Sequence, residues 1–161
     1  MDPFITSRQI LDSIGGTLDA QTMPSLTSDQ ITLLAYTMLH EEVMDGGFIQ
    51  LIHNGLGPFI FLNPFAKAIR LWGKGTDDEE VLHDLSNLIY KGRKLFEKYG
   101  EELTSDCTDD EFMALFEQYP EFDDLDDEFV ENEEDYSAAI ERYITAHEDL
   151  FTVRPSTPAS H

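Results

Sequence analysis

The side chains best suited to binding or catalysis are concentrated in the segment 41–57, which reads EEVMDGGFIQLIHNGLG. It combines three carboxylates, a Gly-Gly pair, an aromatic ring and two side-chain amides, Gln50 and Asn54. The two amides share one face if a short helix follows the glycines, because they are four residues apart. Buried amides need hydrogen-bond partners, and free backbone groups at a Gly-Gly turn are natural ones. The segment is therefore interpreted as a polar cluster that holds a turn, or as a recognition pocket around Phe48, Gln50 and Asn54.

Zinc and di-iron motifs are incomplete in this chain. His40-Glu41 begins like the H-E-x-x-H zinc motif, but the fifth position is Met44. Glu80 and His83 form a single E-x-x-H pair, whereas a di-iron helical bundle needs two such pairs on different helices. No metal site is predicted from these residues.

Other catalytic motifs are also missing or incomplete. A calcium loop that starts at Asp124 would place Phe129 and Asp135 where Gly and Glu are required. The sequence contains no phosphate-binding glycine loop and no G-x-S-x-G, and Cys107 has acidic surroundings that do not activate a thiolate. Among 33 acidic residues, pairs of carboxylates are abundant and uninformative. The sequence predicts a protein that is not an enzyme and needs no cofactor, with carboxylate-dependent hydrolysis as a third alternative.

Length and composition indicate one helical domain over residues 1–151, followed by a disordered tail over 152–161. The single cysteine cannot form an internal disulfide, and the first residues lack the features of a signal peptide. No apolar run approaches the roughly 20 residues that a membrane helix needs. A cytoplasmic location is the expectation.

The net charge of −23 is concentrated in the last third of the chain. Residues 1–100 contain 13 acidic and 8 basic residues, whereas residues 101–161 contain 20 acidic and 2 basic ones. Such a surface repels nucleic acid and anionic lipid, and it attracts basic partners. The alternative interpretation is an acidic face that only keeps the protein soluble.

Helical periodicity dominates the chain, which predicts an all-α array of about six to eight helices. A helix over 4–14 precedes a longer one that ends at the glycines near Met44, and a short helix follows at 48–52. Residues 59–62 are interpreted as a strand fragment or an apolar connector. Three capping-box patterns mark further helix starts: Thr27 with Gln30, Thr76 with Glu79, and Thr108 with Glu111.

The densest acidic run, residues 121–135, also contains Phe122, Leu125 and Phe129 at helical spacing. One face can therefore pack while carboxylates cover the others, and a final helix is expected to follow. Carboxylates held rigidly on two helices can imitate rows of DNA phosphates, with residues 101, 102, 141, 148 and 149 as flanking charges. The predicted partner-binding carboxylates are Asp110, Glu117, Asp123, Asp124, Asp126, Asp127, Glu128, Glu131, Glu133, Glu134 and Asp135.

The sequence also resembles a known family over roughly residues 25–150, and the most specific part of that resemblance is the motif in 42–57. Its pattern resembles the signature of the bacterial family that includes the acidic neisserial DNA-mimic protein, once filed as a domain of unknown function. Asp45 stands where the family usually has Asn. The matching positions are Glu42, Asp45, Gly46, Gly47, Phe48, Gln50, Asn54 and Gly57.

The resemblance implies an all-helical fold, homodimerisation and binding to a DNA-binding regulator in place of DNA. The leading hypothesis is thus a cytoplasmic DNA mimic that acts in transcription regulation. Its partner would be a basic repressor or nucleoid protein, with no direct contact to nucleic acid or membrane. The alternative is a protein- or small-ligand-binding module that uses a pocket around the Gly-Gly-Phe turn, without DNA mimicry.

Overall fold

A computed structural model of the protein describes residues 1–153, and every regular element in that range is helical. The all-α prediction is confirmed, with eight α-helices at the upper end of the expected number. A 3₁₀ turn at Met23–Ser25 lies between the first two helices. The helices are α1 Pro3–Ser13, α2 Ser28–His53, α3 Gly57–Phe61, α4 Phe65–Gly73, α5 Glu79–Thr104, α6 Asp109–Gln118, α7 Glu121–Ala146 and α8 Glu148–Phe151.

Three helices of 26 residues each, α2, α5 and α7, form the centre of the fold. Each is about 39 Å long at a rise of about 1.5 Å per residue, and all three pack against one another. The short helices cover this centre: α4 packs along α5, α3 contacts both α2 and α5, and α1 contacts α2 and α7. In residues 1–153 no helix is long and apolar enough to cross a membrane.

The buried core is rich in aromatic and branched aliphatic side chains. Tyr36, Phe48, Phe122, Phe129 and Phe151 are among its largest fully buried members. The helix α6 contributes no fully buried residue and packs on the outside of this core. The core therefore holds α2, α5 and α7 firmly, and α6 less so.

Two of the three predicted capping boxes are confirmed. Thr27 accepts from the backbone N–H of Gln30 at 3.2 Å, and the Gln30 side chain accepts from the N–H of Thr27 at 2.9 Å. Thr108 and Glu111 make the same reciprocal pair at 3.2 and 3.1 Å. These bonds satisfy amide groups that would otherwise have no partner in the first turn of α2 and α6.

The third predicted capping box, at Thr76, is wrong. The Thr76 hydroxyl donates to the carbonyl of Gly73 at 2.7 Å and accepts from the N–H of Asp78 at 3.1 Å. It therefore closes the turn after α4, and Asp78 becomes the residue before α5. The Glu79 carboxylate accepts from the N–H of Gly75 at 3.1 Å instead of reaching Thr76.

Two further segments differ from the sequence-based expectation. The apolar residues at 59–61 are neither strand nor connector, because they belong to the short helix α3, which buries Ile60 and Phe61 and ends before the exposed Leu62. The acidic run and the predicted final helix form one uninterrupted helix, α7. Of the predicted tail, Thr152 and Val153 belong to the described part, where Val153 packs against the core, and residues 154–161 lie outside it.

Candidate functional site

The Gly-Gly pair kinks α2 instead of ending it. Gly47 has a φ of 79° and a ψ of −179°, and helical geometry resumes directly after it. This backbone conformation is open essentially to glycine alone. The predicted end of the longer helix near Met44 is therefore a kink inside α2, and the predicted short helix at 48–52 is the second segment of α2.

The kink joins α2 to the acidic helix α7. Phe48 loses its helical acceptor at the kink, and its N–H donates to Asp126 Oδ1 at 2.8 Å. A Cβ on Gly47 would lie 2.5 Å from Asp126 Oδ2, so only glycine leaves room for this carboxylate. Burial raises the pKa of Asp126 to about 6, the Phe48 N–H opposes that shift, and the negative charges of Asp123 and Asp127 add to it.

The two side-chain amides of the signature are satisfied by carboxylates. Gln50 Nε2 donates to Glu42 Oε2 at 3.0 Å and to Asp45 Oδ2 at 2.8 Å. Asn54 Nδ2 donates to the same Glu42 oxygen at 3.0 Å. Gly46 makes space for the Gln50 side chain, which a Cβ would strike. The residues form the polar cluster predicted for this turn, with carboxylates as partners where backbone groups were expected.

Phe48 lies under the turn and is fully buried. Its ring stacks on Phe61 with centroids 6.3 Å apart, and Phe61 stacks on Phe96 at 5.5 Å. Gly57 passes so close to the Phe96 ring that a Cβ there would overlap it. Since Phe48 has no accessible surface, it cannot line an open pocket in this structure. The signature residues are thus occupied in holding α2, α3, α5 and α7 together.

The carboxylates of α7 divide into two groups by helical phase. Phe122, Leu125 and Phe129 define the buried face. At about 100° per residue, six exposed carboxylates fall within an arc of about 120° on the opposite side. None of the six has a hydrogen-bond or ion-pair partner within residues 1–153. We call them the outer face of α7: Asp123, Asp124, Asp127, Glu131, Glu134 and Asp135.

Three of the predicted partner-binding carboxylates point towards neighbouring helices instead. Asp126 accepts from Phe48, as described above. Glu133 Oε2 lies 2.8 Å from His40 Nε2 of α2, and Glu128 Oε1 lies 3.5 Å from Lys91 Nζ of α5. The buried stripe already placed Asp126 beside the core face, so this inward role was visible in the helical phase of the sequence.

The remaining predicted carboxylates, Asp110 and Glu117, are exposed on α6. Tyr99 of α5 contacts both the end of α6 and the start of α7: its ring lies 4.8 Å from that of Tyr119, and its hydroxyl donates to Glu121. That hydrogen bond is the first cause of a lowered Glu121 pKa. Within residues 1–153 no cluster of His, Cys, Asp and Glu is arranged to hold a metal ion.

The single cation of α7, Arg142, is neutralised within the chain. It donates to both oxygens of Asp78, from Nε at 2.9 Å and from a terminal nitrogen at 2.7 Å. The Arg142 hydrogen bond holds the pKa of Asp78 below its ordinary value. Sequence reasoning missed this pair, whose members lie 64 positions apart. The exposed surface of α7 is therefore almost uniformly negative.

Comparison with known proteins relates most of this chain to one family. The model of the DMP19-like protein family matches residues 24–147, which contain all of α2 to α7, including the signature turn and the outer face. The chain is also 30% identical over 133 residues to the DNA mimic protein DMP19 of Neisseria meningitidis serogroup B. That alignment covers 81% of this chain and 75% of the relative. The family resemblance is thereby confirmed, and the chain belongs to the DMP19-like protein family.

Proposed function

We propose that this protein is a DNA mimic, which binds a DNA-binding protein in place of DNA. The outer face of α7 makes the contact, together with Asp110 and Glu117 of α6. The observation that supports this proposal is the arc of six exposed carboxylates without any intrachain partner in the described residues. The name of the neisserial relative agrees with it.

The charge density of this surface resembles that of a DNA strand. Residues 121–135 contain seven exposed carboxylates, the six of the outer face and Glu121. At about 1.5 Å per residue this segment is about 22 Å long, which gives about one charge per 3 Å. One strand of duplex DNA carries about one phosphate per 3.4 Å of its axis. A protein surface built to bind a phosphate row would meet a similar density here.

Rigidity distinguishes this surface from an acidic tail. The opposite side of α7 is anchored by fully buried side chains such as Phe122 and Phe129. Two carboxylates on its flank, Asp126 and Glu133, also hydrogen-bond to α2. The outer carboxylates are therefore held at fixed spacing, which favours partners whose cations have a matching arrangement.

The proposal defines the kind of partner and location. The partner is a basic protein such as a repressor or a nucleoid protein, and the role is transcription regulation without catalysis. Direct binding to nucleic acid or to an anionic membrane is opposed by like charge. A cytoplasmic location and a homodimer complete the proposal, as the family resemblance implies.

The test is capture of partners from a lysate of the source organism at low salt. We expect a DNA-binding protein to be enriched and to be released by added duplex DNA. A fourfold variant of the outer face, with Asp123 and Asp127 changed to Asn and Glu131 and Glu134 changed to Gln, should weaken binding about tenfold or more. The control removes four equally exposed charges elsewhere: Asp12→Asn, Glu41→Gln, Asp77→Asn and Glu80→Gln.

The control variant should bind within about threefold of the unchanged protein, because it alters net charge equally but leaves the outer face intact. Binding should also weaken steeply with salt. The proposal is wrong if no DNA-binding protein is captured or if duplex DNA fails to compete. Equal losses in both variants would mean that net charge, and not the outer face, determines binding.

A further inference from the structure

A groove of about 530 Å³ runs between α5 and α7, beside the outer face. Its two ends differ in charge. Asp84 of α5 and Asp135 of α7 lie at one end, whereas Lys91 and Lys94 of α5 line the other. We call this feature the α5–α7 groove. Here the negative surface of α7 borders a concave site.

Tyr136 lines this groove with an unpartnered hydroxyl. The residue is 2% exposed, and its hydroxyl has no hydrogen-bond partner among the described residues. No side-chain N or O atom of residues 1–153 is both fully buried and unpartnered, so the Tyr136 hydroxyl keeps a small accessible surface. That surface opens on the groove, where the hydroxyl is free to pair with a ligand group. Burial raises the pKa of Tyr136, and the charges of Glu128, Asp84 and Asp135 raise it further. The group is therefore a neutral hydroxyl with a free lone pair among carboxylates.

Further hydrogen-bond acceptors line the same groove as this hydroxyl. Asn132 Nδ2 donates to the carbonyl of Glu128 at 2.8 Å, which leaves the Asn132 side-chain oxygen free to accept. The carboxylates of Asp84 and Asp135 have no partner in the described residues. Acceptors thus line both walls of the groove at its acidic end. A cation with several dispersed N–H groups satisfies such an arrangement best.

The lysines at the opposite end make the charge of the groove asymmetric. Lys91 lies 3.5 Å from Glu128, so part of its charge is balanced within the chain. Lys94 has no ion-pair partner in the described residues. A bound cation is therefore repelled from this end and attracted towards Asp84 and Asp135.

We propose that the acidic end of the α5–α7 groove binds the guanidinium group of an arginine side chain that the partner protein inserts, an inference that rests on the proposed function. Guanidinium has five N–H donors in one plane, whereas a lysine ammonium has three at a single point. Arginine is also the residue that most often reads base edges in DNA. The outer face then takes the place of phosphates, and the groove takes the place of base edges.

The direct test is an NMR titration of the full chain with N-acetyl-arginine amide, with N-acetyl-lysine amide as the matched probe. The arginine probe should shift the amide signals of residues 84, 132 and 136 and bind at least threefold more tightly than the lysine probe. Tyr136→Phe should weaken arginine binding about fivefold, since it removes one acceptor. It should leave the unfolding midpoint unchanged, because the hydroxyl makes no intrachain bond. Asp84→Asn should weaken binding about tenfold.

The control is Asp123→Asn, which removes a carboxylate from the edge of the outer face that is remote from the groove. It should change arginine binding less than twofold. Unaltered binding to Tyr136→Phe, or shifts spread evenly along α7, would overturn the groove inference. If a captured DNA-binding protein requires the outer face but ignores Tyr136→Phe, the groove inference fails and DNA mimicry stands. If no such protein is captured while the arginine probe still binds residues 84 and 136, DNA mimicry fails.

Discussion

The signature turn at 42–57 and the outer face of α7 are both rich in polar residues, yet they are built in opposite ways. In the turn every polar side chain has a partner: Gln50 and Asn54 donate to Glu42, and Gln50 also donates to Asp45. On the outer face none of the six carboxylates has a partner in the described residues. A polar cluster that satisfies itself stabilises the fold, whereas unsatisfied exposed charge is available to another molecule.

Asp126 connects the two regions. It belongs to the acidic helix by sequence, but it serves the turn by accepting from Phe48. Its neighbour Asp127 is exposed and belongs to the outer face. Adjacent residues of the same type therefore have opposite roles, and helical phase alone separates them. The comparison can be tested by changing one member of each region at a time.

The largest effect is expected from Gly47→Ala in the turn. An alanine must adopt a conformation open essentially to glycine, and its Cβ would lie 2.5 Å from Asp126. We expect a loss of about 3 kcal/mol or more in the free energy of unfolding, measured by urea denaturation. The control is Gly55→Ala, which also has a positive φ but no atom within 4 Å of the added Cβ. It should cost about 1 kcal/mol, and equal costs would contradict the role of the Asp126 contact.

A smaller loss is expected when Asp126 is truncated. Asp126→Ala leaves the N–H of Phe48 without its acceptor, which costs about 1–2 kcal/mol at pH 7 after relief of the buried charge. Asp127→Ala removes the same charge from the outer face and should not lower the free energy of unfolding, because this carboxylate has no partner and alanine favours the helix. Urea denaturation of both variants measures the contrast. Equal effects would mean that the two neighbouring carboxylates do not differ in role.

How much of this contrast could be predicted from the sequence depends on distance along the chain. Local patterns located α2 and α6, since a capping box needs only Thr27 with Gln30 or Thr108 with Glu111. The phase of α7 was also present in the spacing of Phe122 and Phe129. Even so, the acidic residues of 121–135 were predicted as one set, and the side chains of Asp126, Glu128 and Glu133 were not recognised as pointing towards neighbouring helices.

The remaining features depend on residues far apart in sequence. The acceptor for Phe48 lies 78 positions away, and Arg142 pairs with Asp78 across 64 positions. The α5–α7 groove likewise needs both helices in place before Tyr136 and Asp84 meet. The helix α3 was missed because it is stabilised by packing of Phe61 against Phe48 and Phe96, and not by its own periodicity.

The pH dependence of stability should also report the role of Asp126. Its pKa is about 6 in the folded protein, against an ordinary value of 3.8, so the folded state binds the proton more tightly than the unfolded state. This contribution to stability is fully present below about pH 4 and is lost as the pH rises through 6. Asp126→Asn lacks it but keeps an acceptor for Phe48.

The stability of Asp126→Asn relative to the unchanged protein should therefore increase mainly between about pH 4 and 6 and level off above about pH 7. Urea denaturation of both proteins at intervals of half a pH unit gives the difference between their free energies of unfolding. Repulsion among the other carboxylates is common to both proteins and cancels in this difference. A difference that is flat with pH would show that Asp126 is not desolvated by the turn.

The smallest effect, and the one with the opposite sign, is expected on the outer face. Asp127 has Asp123 four residues before it and Glu131 four residues after it, and like charges at this spacing repel each other. Asp127→Asn should therefore raise the free energy of unfolding by about 0.5 kcal/mol at low salt. This gain should vanish at 1 M salt, where the Debye length is about 3 Å.

The control is Glu97→Gln, because Glu97 pairs with Arg93 at 2.8 Å and its loss should not stabilise the protein. A gain confined to Asp127→Asn means that the outer face reduces stability, as expected of charges held for a partner. A loss would instead give that face a structural role and remove the distinction between the two regions.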